Sequence, residues 1–161
     1  MDEKTLGIAE TVCACGMLAS GIILGIRGLK KRYARVLGIS LTAAGLFMAG
    51  FSLFENMVPV CGFGFLFFAA LPFANNCLDY LVRINIPDEV QGRVWGLVGF
   101  ISQLGYVIAY AVSGMAADAI GNITGQGVGK GAAVMITAAG LCLAVTAAAT
   151  LFRKQIRDLE E

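Results

Sequence analysis

The chain has 161 residues, of which 58% are hydrophobic and 14% charged, and its mean hydropathy is +0.78. Soluble domains are usually about 45–50% apolar and about 25% charged, so this composition excludes an ordinary soluble domain and favours a membrane protein. The formal net charge is only +1, and the charges lie at the edges of apolar runs, which excludes the basic surface that nucleic-acid binding requires.

Five apolar runs are long enough to cross a bilayer, since a membrane helix needs about 20 apolar residues. They lie at 6–26, 36–54, 57–82, 94–118 and 131–152. The fold predicted from them is all-α: a polytopic membrane bundle of five transmembrane helices forming a single membrane domain over 1–161. The first run is too long for a signal peptide and follows acidic Asp2 and Glu3, so no secretory signal is predicted.

The first run carries a carboxylate, Glu10, on a helical face shared with Gly7, Ala14, Met17 and Gly21. An ionisable group within a membrane span is by default a functional hypothesis. The competing interpretation is that Glu10 lies shallow enough to reach water. Both interpretations stay open at this point.

The second run has one face of small residues with helical spacing, made of Gly38, Thr42, Gly45, Ala49 and Ser52. Such a face lets two membrane helices approach closely, so it predicts helix packing. The third run has Pro59 near its start, where a missing N–H costs little. Pro72 lies inside that run and predicts a kink, and Asn75 and Asn76 follow it.

The fourth run carries a polar and aromatic stripe, Gly99, Gln103, Tyr106, Tyr110 and Ser113, again at helical spacing. Tyr106 lies near mid-membrane by count, where polar groups need partners or a wet cavity. Lining of a substrate pathway and simple hydrogen bonding between helices are equally compatible with this pattern. The pathway candidates are Glu10, Asn75, Asn76, Gln103, Tyr106 and Tyr110.

The five cysteines all lie within apolar runs and are interpreted as buried small hydrophobes. The chain contains no histidine and no Cys-x-x-Cys pattern, so neither a metal site nor a cofactor site is predicted. No pairing of a nucleophile with a base is recognisable, and the chain is predicted not to be an enzyme.

The basic residues alternate between the connecting segments. Segments 27–35, 83–93 and 153–161 hold ten Lys and Arg residues, whereas the opposite side holds only Lys4 and Lys130. The positive-inside rule therefore predicts cytoplasmic basic loops, a cytoplasmic C-terminus and an N-terminus outside. Five spans with an outside start and no signal also predict that a further helix precedes this segment.

Segment 78–100, LDYLVRINIPDEVQGRVWGLVGF, concentrates charge between two apolar runs. Asp79 and Arg83 are spaced as a helical ion pair with the acid first. Pro87 followed by Asp88 and Glu89 predicts a helix start, because acids favour the positive end of a helix dipole. Gly92 is interpreted as a site of close approach and Arg93 as an anchor at the headgroups.

The run NNCLDYLVRINIPDEVQGRVWGLVGF followed by SGMAADAIG resembles the major facilitator superfamily, in its macrolide-efflux and enterobactin-exporter-like branch. The matching residues are Pro87, Asp88, Glu89, Gly92, Arg93 and Val94, together with Gly114 and Asp118 of a Gly-x-x-x-Asp ending. The resemblance implies helices eight to twelve, with Asp79, Arg83 and the matching residues in motif or gating roles. The chain departs from the family where Gly25 replaces an acidic loop residue and where the eleventh helix lacks a proline.

The function implied by this resemblance is secondary active efflux across the plasma membrane, which in bacteria is the cell inner membrane. Drug-like or siderophore-like molecules would be exported by alternating access, driven by a proton gradient in an antiporter. The implied partners are the lipid bilayer, the small-molecule substrate and an N-terminal transporter half. The alternative is a non-transporting fragment or a small membrane subunit that binds other helices.

Overall fold

The chain folds into long α-helices, as a computed structural model shows for residues 3–29, 32–54, 56–124 and 128–152. Within these ranges there are five helices: α1 (Glu3–Arg27), α2 (Tyr33–Leu53), α3 (Met57–Asn85), α4 (Asp88–Thr124) and α5 (Val128–Phe152). Each is long and apolar enough to cross a membrane. The predicted all-α membrane bundle is therefore confirmed, and the chain is an integral membrane protein.

Most of the helices extend beyond the apolar runs that predicted them. The largest difference is in α4, which begins at Asp88, where the Pro87, Asp88 and Glu89 pattern predicted a helix start, and ends at Thr124, whereas its apolar run covers only 94–118. The reason is that the apolar run measures the hydrocarbon thickness, while backbone hydrogen bonding continues the helix into the headgroup region. α3 continues through Pro72, so the predicted kink there stays a prediction.

The α1–α2 connection uses two residues in the left-handed conformation. Gly28 has φ 59°, and its N–H donates to the carbonyl of Leu24 at 2.8 Å, which ends α1 as left-handed glycine caps commonly do. Arg32, at the start of α2, has φ 66°. The hydroxyl of Tyr33 then donates to the Leu29 carbonyl at 2.5 Å, so the first residue of α2 binds the chain that follows α1.

The helices divide into two compact units. The first unit holds α1, α2, α3 as far as Leu81, and α5 from Ile136. The second unit holds the end of α3, all of α4 and the start of α5, over residues 82–135. The predicted organisation of the whole chain as a single membrane domain stays a prediction.

The small-residue face of α2 packs against α5, which confirms that this face mediates helix packing. A β-carbon added to Gly45 would lie 2.6 Å from the carbonyl oxygen of Gly140, and one added to Gly140 would lie 2.7 Å from that of Gly45. Only hydrogen fits at either position, so the two backbones are in direct contact. At the end of α2, the Ser52 and Thr137 hydroxyls form a hydrogen bond of 2.6 Å.

The order of these contacts makes α2 and α5 antiparallel. Gly38 near the start of α2 meets Leu151 near the end of α5, whereas Ser52 near the end of α2 meets Thr137. α2 and α3 are antiparallel as well, because Tyr33 stacks on Tyr80 with ring centroids 3.7 Å apart. The start of α2 and the ends of α3 and α5 therefore lie at one end of the first unit. This agrees with the charge pattern, which predicts that the basic segments next to these helix ends share one side of the membrane.

α1 joins this unit through its own narrow face, whose buried residues are Ala9, Cys13, Gly16 and Ser20. Gly16 approaches the backbone of Phe65, and a β-carbon on Gly64 would lie 2.5 Å from the Cys13 sulfur. Cys77 is fully buried as predicted. Cys15 and Cys142 are exposed, so the prediction that all five cysteines are buried is wrong for these two, which lie on helix faces directed away from the packed core.

In the second unit, α4 meets the start of α5 at Gly131, where an added β-carbon would collide with the Ala117 carbonyl. Ala117, Gly121 and Gly131 are all buried at this crossing. Every residue of α4 from 95 to 115 is exposed. Among the residues of this unit whose burial the structure describes, the buried ones thus lie at the crossing of the last turns of α4 with the start of α5.

Candidate functional site

The junction between α3 and α4 is held by a side chain that the sequence analysis did not single out, Gln91. Its amide nitrogen lies 3.2 Å from the Arg83 carbonyl, 3.1 Å from the Ile86 carbonyl and 3.1 Å from Oδ1 of Asp88. The last carbonyls of a helix have no partner within it. One amide on the first turns of α4 therefore satisfies acceptors at the end of α3 and in the connection.

The start of α4 is where the sequence predicted it. Asp88 and Glu89 occupy its first turn, where carboxylates stabilise the positive end of the helix dipole. Pro87 precedes the helix, and its carbonyl accepts a hydrogen bond from the N–H of Val90 at 3.1 Å. The charged segment thus contains the connection between α3 and α4, which consists of Ile86 and Pro87.

The other charged motif residues flank this turn and are exposed. Arg83 lies in the last turn of α3, one helical turn after Asp79, and Arg93 lies in the second turn of α4. The predicted ion pair between Asp79 and Arg83 stays a prediction, as does the anchoring of Arg93 at headgroups.

The two motif glycines have open surroundings. No atom lies within 4 Å of a β-carbon built on Gly92 or on Gly114. The close approach predicted at Gly92 is therefore not made by the residues that the structure describes. Asp118 is exposed on the last part of α4, one turn beyond Gly114.

The polar stripe of α4 is exposed, but so are the other faces of that helix. Tyr106 is 60% exposed and Tyr110 79%, while Ile101 and Ile108 on the opposite face are 59% and 62% exposed. Gln103 is exposed as well. Burial within the chain therefore does not distinguish the stripe from its neighbours, and the lining of a pathway by Gln103, Tyr106 and Tyr110 stays a prediction.

The remaining pathway candidates lie on surfaces of the first unit. Asn75 and Asn76 are exposed on α3, next to buried Ala74 and Cys77. Glu10 is exposed, and its whole predicted face, including Met17 and Gly21, is the face of α1 directed away from the packed core. A carboxylate on that face is available to a partner or to the membrane surface rather than to the interior of this unit.

The first unit also contains a pocket that the sequence analysis missed. It has a volume of about 210 Å³ and is lined only by apolar groups of α2, α3 and α5: Met48, Phe51, Gly64, Phe67, Phe68 and Ile136. No periodic signal in a single helix could have located it, because each helix contributes only one to three residues.

The described residues contain no cluster of three or more His, Cys, Asp and Glu side chains that could hold a metal ion. What the geometry offers instead is a set of exposed polar groups on α1, α3 and α4 and the α3–α4 turn capped by Gln91. Such an arrangement can position helices and contact a solute. It provides no assembled nucleophile and base within the described part of the chain.

Two curated proteins show what this chain is similar to. It is 34% identical over 124 residues to macrolide efflux protein A of Streptococcus pyogenes. The protein of the same name from Streptococcus pyogenes serotype M6 (strain ATCC BAA-946 / MGAS10394) gives the same identity over the same length. The chain is similar to an efflux protein.

The similarity covers 72% of this chain but only 29% of each relative. The chain therefore spans less than a third of the length of the curated relatives that it matches. No protein-family model matches the chain, and no solved structure matches it.

Proposed function

We propose that this chain is the C-terminal part of a membrane efflux transporter of the major facilitator type, and not an enzyme. The observation that carries the proposal is its 34% identity to a macrolide efflux protein over 124 residues, in a chain with five helices of membrane length. The matching positions of the Pro-acid-Gly-Arg segment support the same branch, since α4 begins at Asp88 as that pattern requires.

The proposed mechanism is alternating access, in which two halves of the transporter rock about a central site. The chain supplies helices eight to twelve of this arrangement, in the plasma membrane, with its C-terminus in the cytoplasm. Drug-like or siderophore-like solutes are the proposed substrates, and a proton gradient is the proposed driving force. The exposed residues of α4 support a partner in the membrane, because a polar stripe is costly against lipid.

The alternative function is a small membrane subunit that binds other helices without transporting. The same exposed α4 favours it, since all residues of α4 from 95 to 115 are exposed and leave surface available for another protein. The two functions differ in whether solute moves.

A drug-accumulation assay tests the proposal. The chain is expressed in macrolide-sensitive bacteria alone and together with the whole part of macrolide efflux protein A that precedes the region matched by this chain, and uptake of a radiolabelled macrolide is measured. We expect lower accumulation in the paired cells, abolished by an uncoupler of the proton gradient. Stable co-purification of both pieces without any change in accumulation would favour the helix-binding subunit.

A further inference from the structure

We propose that the pocket between α2, α3 and α5 holds the acyl chain of a membrane lipid. The first reason is chemical. All the groups that line it are apolar, namely aromatic rings, a thioether, an isoleucine side chain and a glycine. A ligand that needs hydrogen bonds would lose its partners there, so only a hydrocarbon segment is accepted without an uncompensated desolvation cost.

The size of the pocket selects the kind of hydrocarbon. Its volume of about 210 Å³ is below the range of about 300–1,000 Å³ that is typical of pockets for drug-sized ligands. A macrolide ring therefore does not fit, whereas part of a slender alkyl chain does. The small volume therefore distinguishes the pocket from the substrate pathway of the proposed efflux function. The inference about the pocket does not depend on that function.

The depth of the pocket matches the region where acyl chains lie. Met48 and Phe51 are five and eight residues beyond the midpoint of α2. At 1.5 Å per residue this is about 8 and 12 Å, which is within the half-thickness of about 15 Å of a hydrocarbon core. Lipid tails are therefore the apolar molecules present at high concentration beside this pocket.

The walls indicate that the space is maintained rather than closed by packing. Phe67 and Phe68 are arranged edge to face, with centroids 5.3 Å apart and planes at 88°, which fixes both rings. Gly64 contributes no side chain to the pocket, and its close contact with α1 disfavours a larger residue, since an added β-carbon would lie 2.5 Å from the Cys13 sulfur. The pocket is also partly open to its surroundings, so an acyl chain can enter it.

Fluorescence quenching by brominated lipid tests the inference in the full chain. Trp95, the only tryptophan, is first replaced by phenylalanine, and Phe67→Trp then places a reporter in the pocket wall. The protein is reconstituted in phosphatidylcholine nanodiscs with bromine at the middle of the acyl chains. We expect quenching of the reporter, and loss of this quenching in Ile136→Phe, which fills the pocket from α5.

The matched control reporter is Phe63→Trp, one helical turn away on α3 and outside the pocket, where its ring stacks on Phe54. Its quenching should be unchanged by Ile136→Phe. Ile136→Val, which enlarges the pocket, should preserve or increase quenching at position 67, so the inference does not depend on the larger substitution folding normally.

Three results would overturn the inference. One is a reporter at position 67 that brominated lipid does not quench, which would mean a dry or closed pocket. Another is quenching that Ile136→Phe lowers equally at positions 63 and 67. The third is relief of quenching at position 67 by a macrolide added at low concentration, which would make the pocket a substrate site.

Discussion

Gly45 on α2 and Gly140 on α5 lie where two backbones come closest in the first unit. A β-carbon added to either glycine would lie less than 3 Å from the carbonyl oxygen of the other glycine. The neighbouring contact, Ser52 with Thr137, places a hydrogen bond between hydroxyls on the same pair of helices. Membrane helices gain little from the hydrophobic effect against each other, so close packing of small residues and such hydrogen bonds hold the pair together.

We expect Gly45→Ala to destabilise the chain. The new methyl group would meet backbone atoms, which cannot move aside as a flexible side chain can, and overpacking of this kind costs roughly 1–3 kcal/mol. The measurement is the free energy of unfolding in mixed detergent micelles. Gly21→Ala is the control, because nothing lies within 4 Å of its added methyl group, and alanine is better than glycine in a helix by roughly 0.5–1 kcal/mol. Equal effects of the two changes would contradict the close α2–α5 contact.

At the scale of the helical elements, the α3–α4 turn depends on Gln91. Its amide joins the end of α3 to the start of α4 through three acceptors. Pro87 lies between the helices and has no N–H to offer, so a side chain must supply the donor that the turn needs.

Gln91→Ala should therefore loosen this turn. The expected cost is about 1 kcal/mol for the lost hydrogen bonds, and amide hydrogen exchange should become faster in 84–90 and not in α1. Gln91→Glu should act similarly, since a carboxylate cannot donate to the Arg83 and Ile86 carbonyls. Gln103→Ala, at an exposed glutamine of the same helix, is the control. Unchanged exchange at 84–90 in both Gln91 variants would mean that the turn is held by its backbone alone.

The exposed faces of α4 lead to a prediction at the same scale. In a complete transporter, cysteines at 103, 106 and 110 should react with a small hydrophilic thiol reagent and be protected by substrate. Cysteines at 104 and 108 should react much less, because a stripe that recurs at helical spacing can line an aqueous path while the other faces contact lipid or protein. Equal labelling of the two sets would mean that Gln103, Tyr106 and Tyr110 only pack against neighbouring helices.

At the scale of the whole molecule, charge and helix direction point to the same topology. Ten of the twelve basic residues lie in segments 27–35, 83–93 and 153–161, which include helix ends as well as the connections. The antiparallel contacts of α2 with α3 and α5 bring the start of α2 and the ends of the other two to one end of the first unit. The side of the membrane that this end faces is predicted by the positive-inside rule alone.

Arg32→Cys and Lys130→Cys test that orientation, in a background without the five native cysteines. An impermeant thiol reagent added to intact cells should label position 130, and it should label position 32 only after the membrane is opened. The physical reason is that basic segments are retained on the cytoplasmic side during insertion. Labelling of position 32 from outside would reverse the topology.

The sequence by itself determined the number of helices, their approximate limits and the small-residue face of α2. These follow from period and length: 20 or so apolar residues span a bilayer, and residues three or four apart share a helix face. It also located the start of α4, because Pro87, Asp88 and Glu89 act through the backbone next to them. Local interactions of this kind can be recognised in a short stretch of sequence.

Only the tertiary structure decided which helix the α2 face contacts, that Gln91 caps the α3–α4 turn, and that three helices line an apolar pocket. Gly45 and Gly140 are far apart in sequence, and nothing in the small-residue pattern of α2 specifies α5 rather than α1 as its partner. Cys15 and Cys142 were misjudged for the same reason, since an apolar run predicts depth in the membrane but not the direction of each face. Such directions are fixed by close packing between separate helices, where one β-carbon decides whether two backbones can meet.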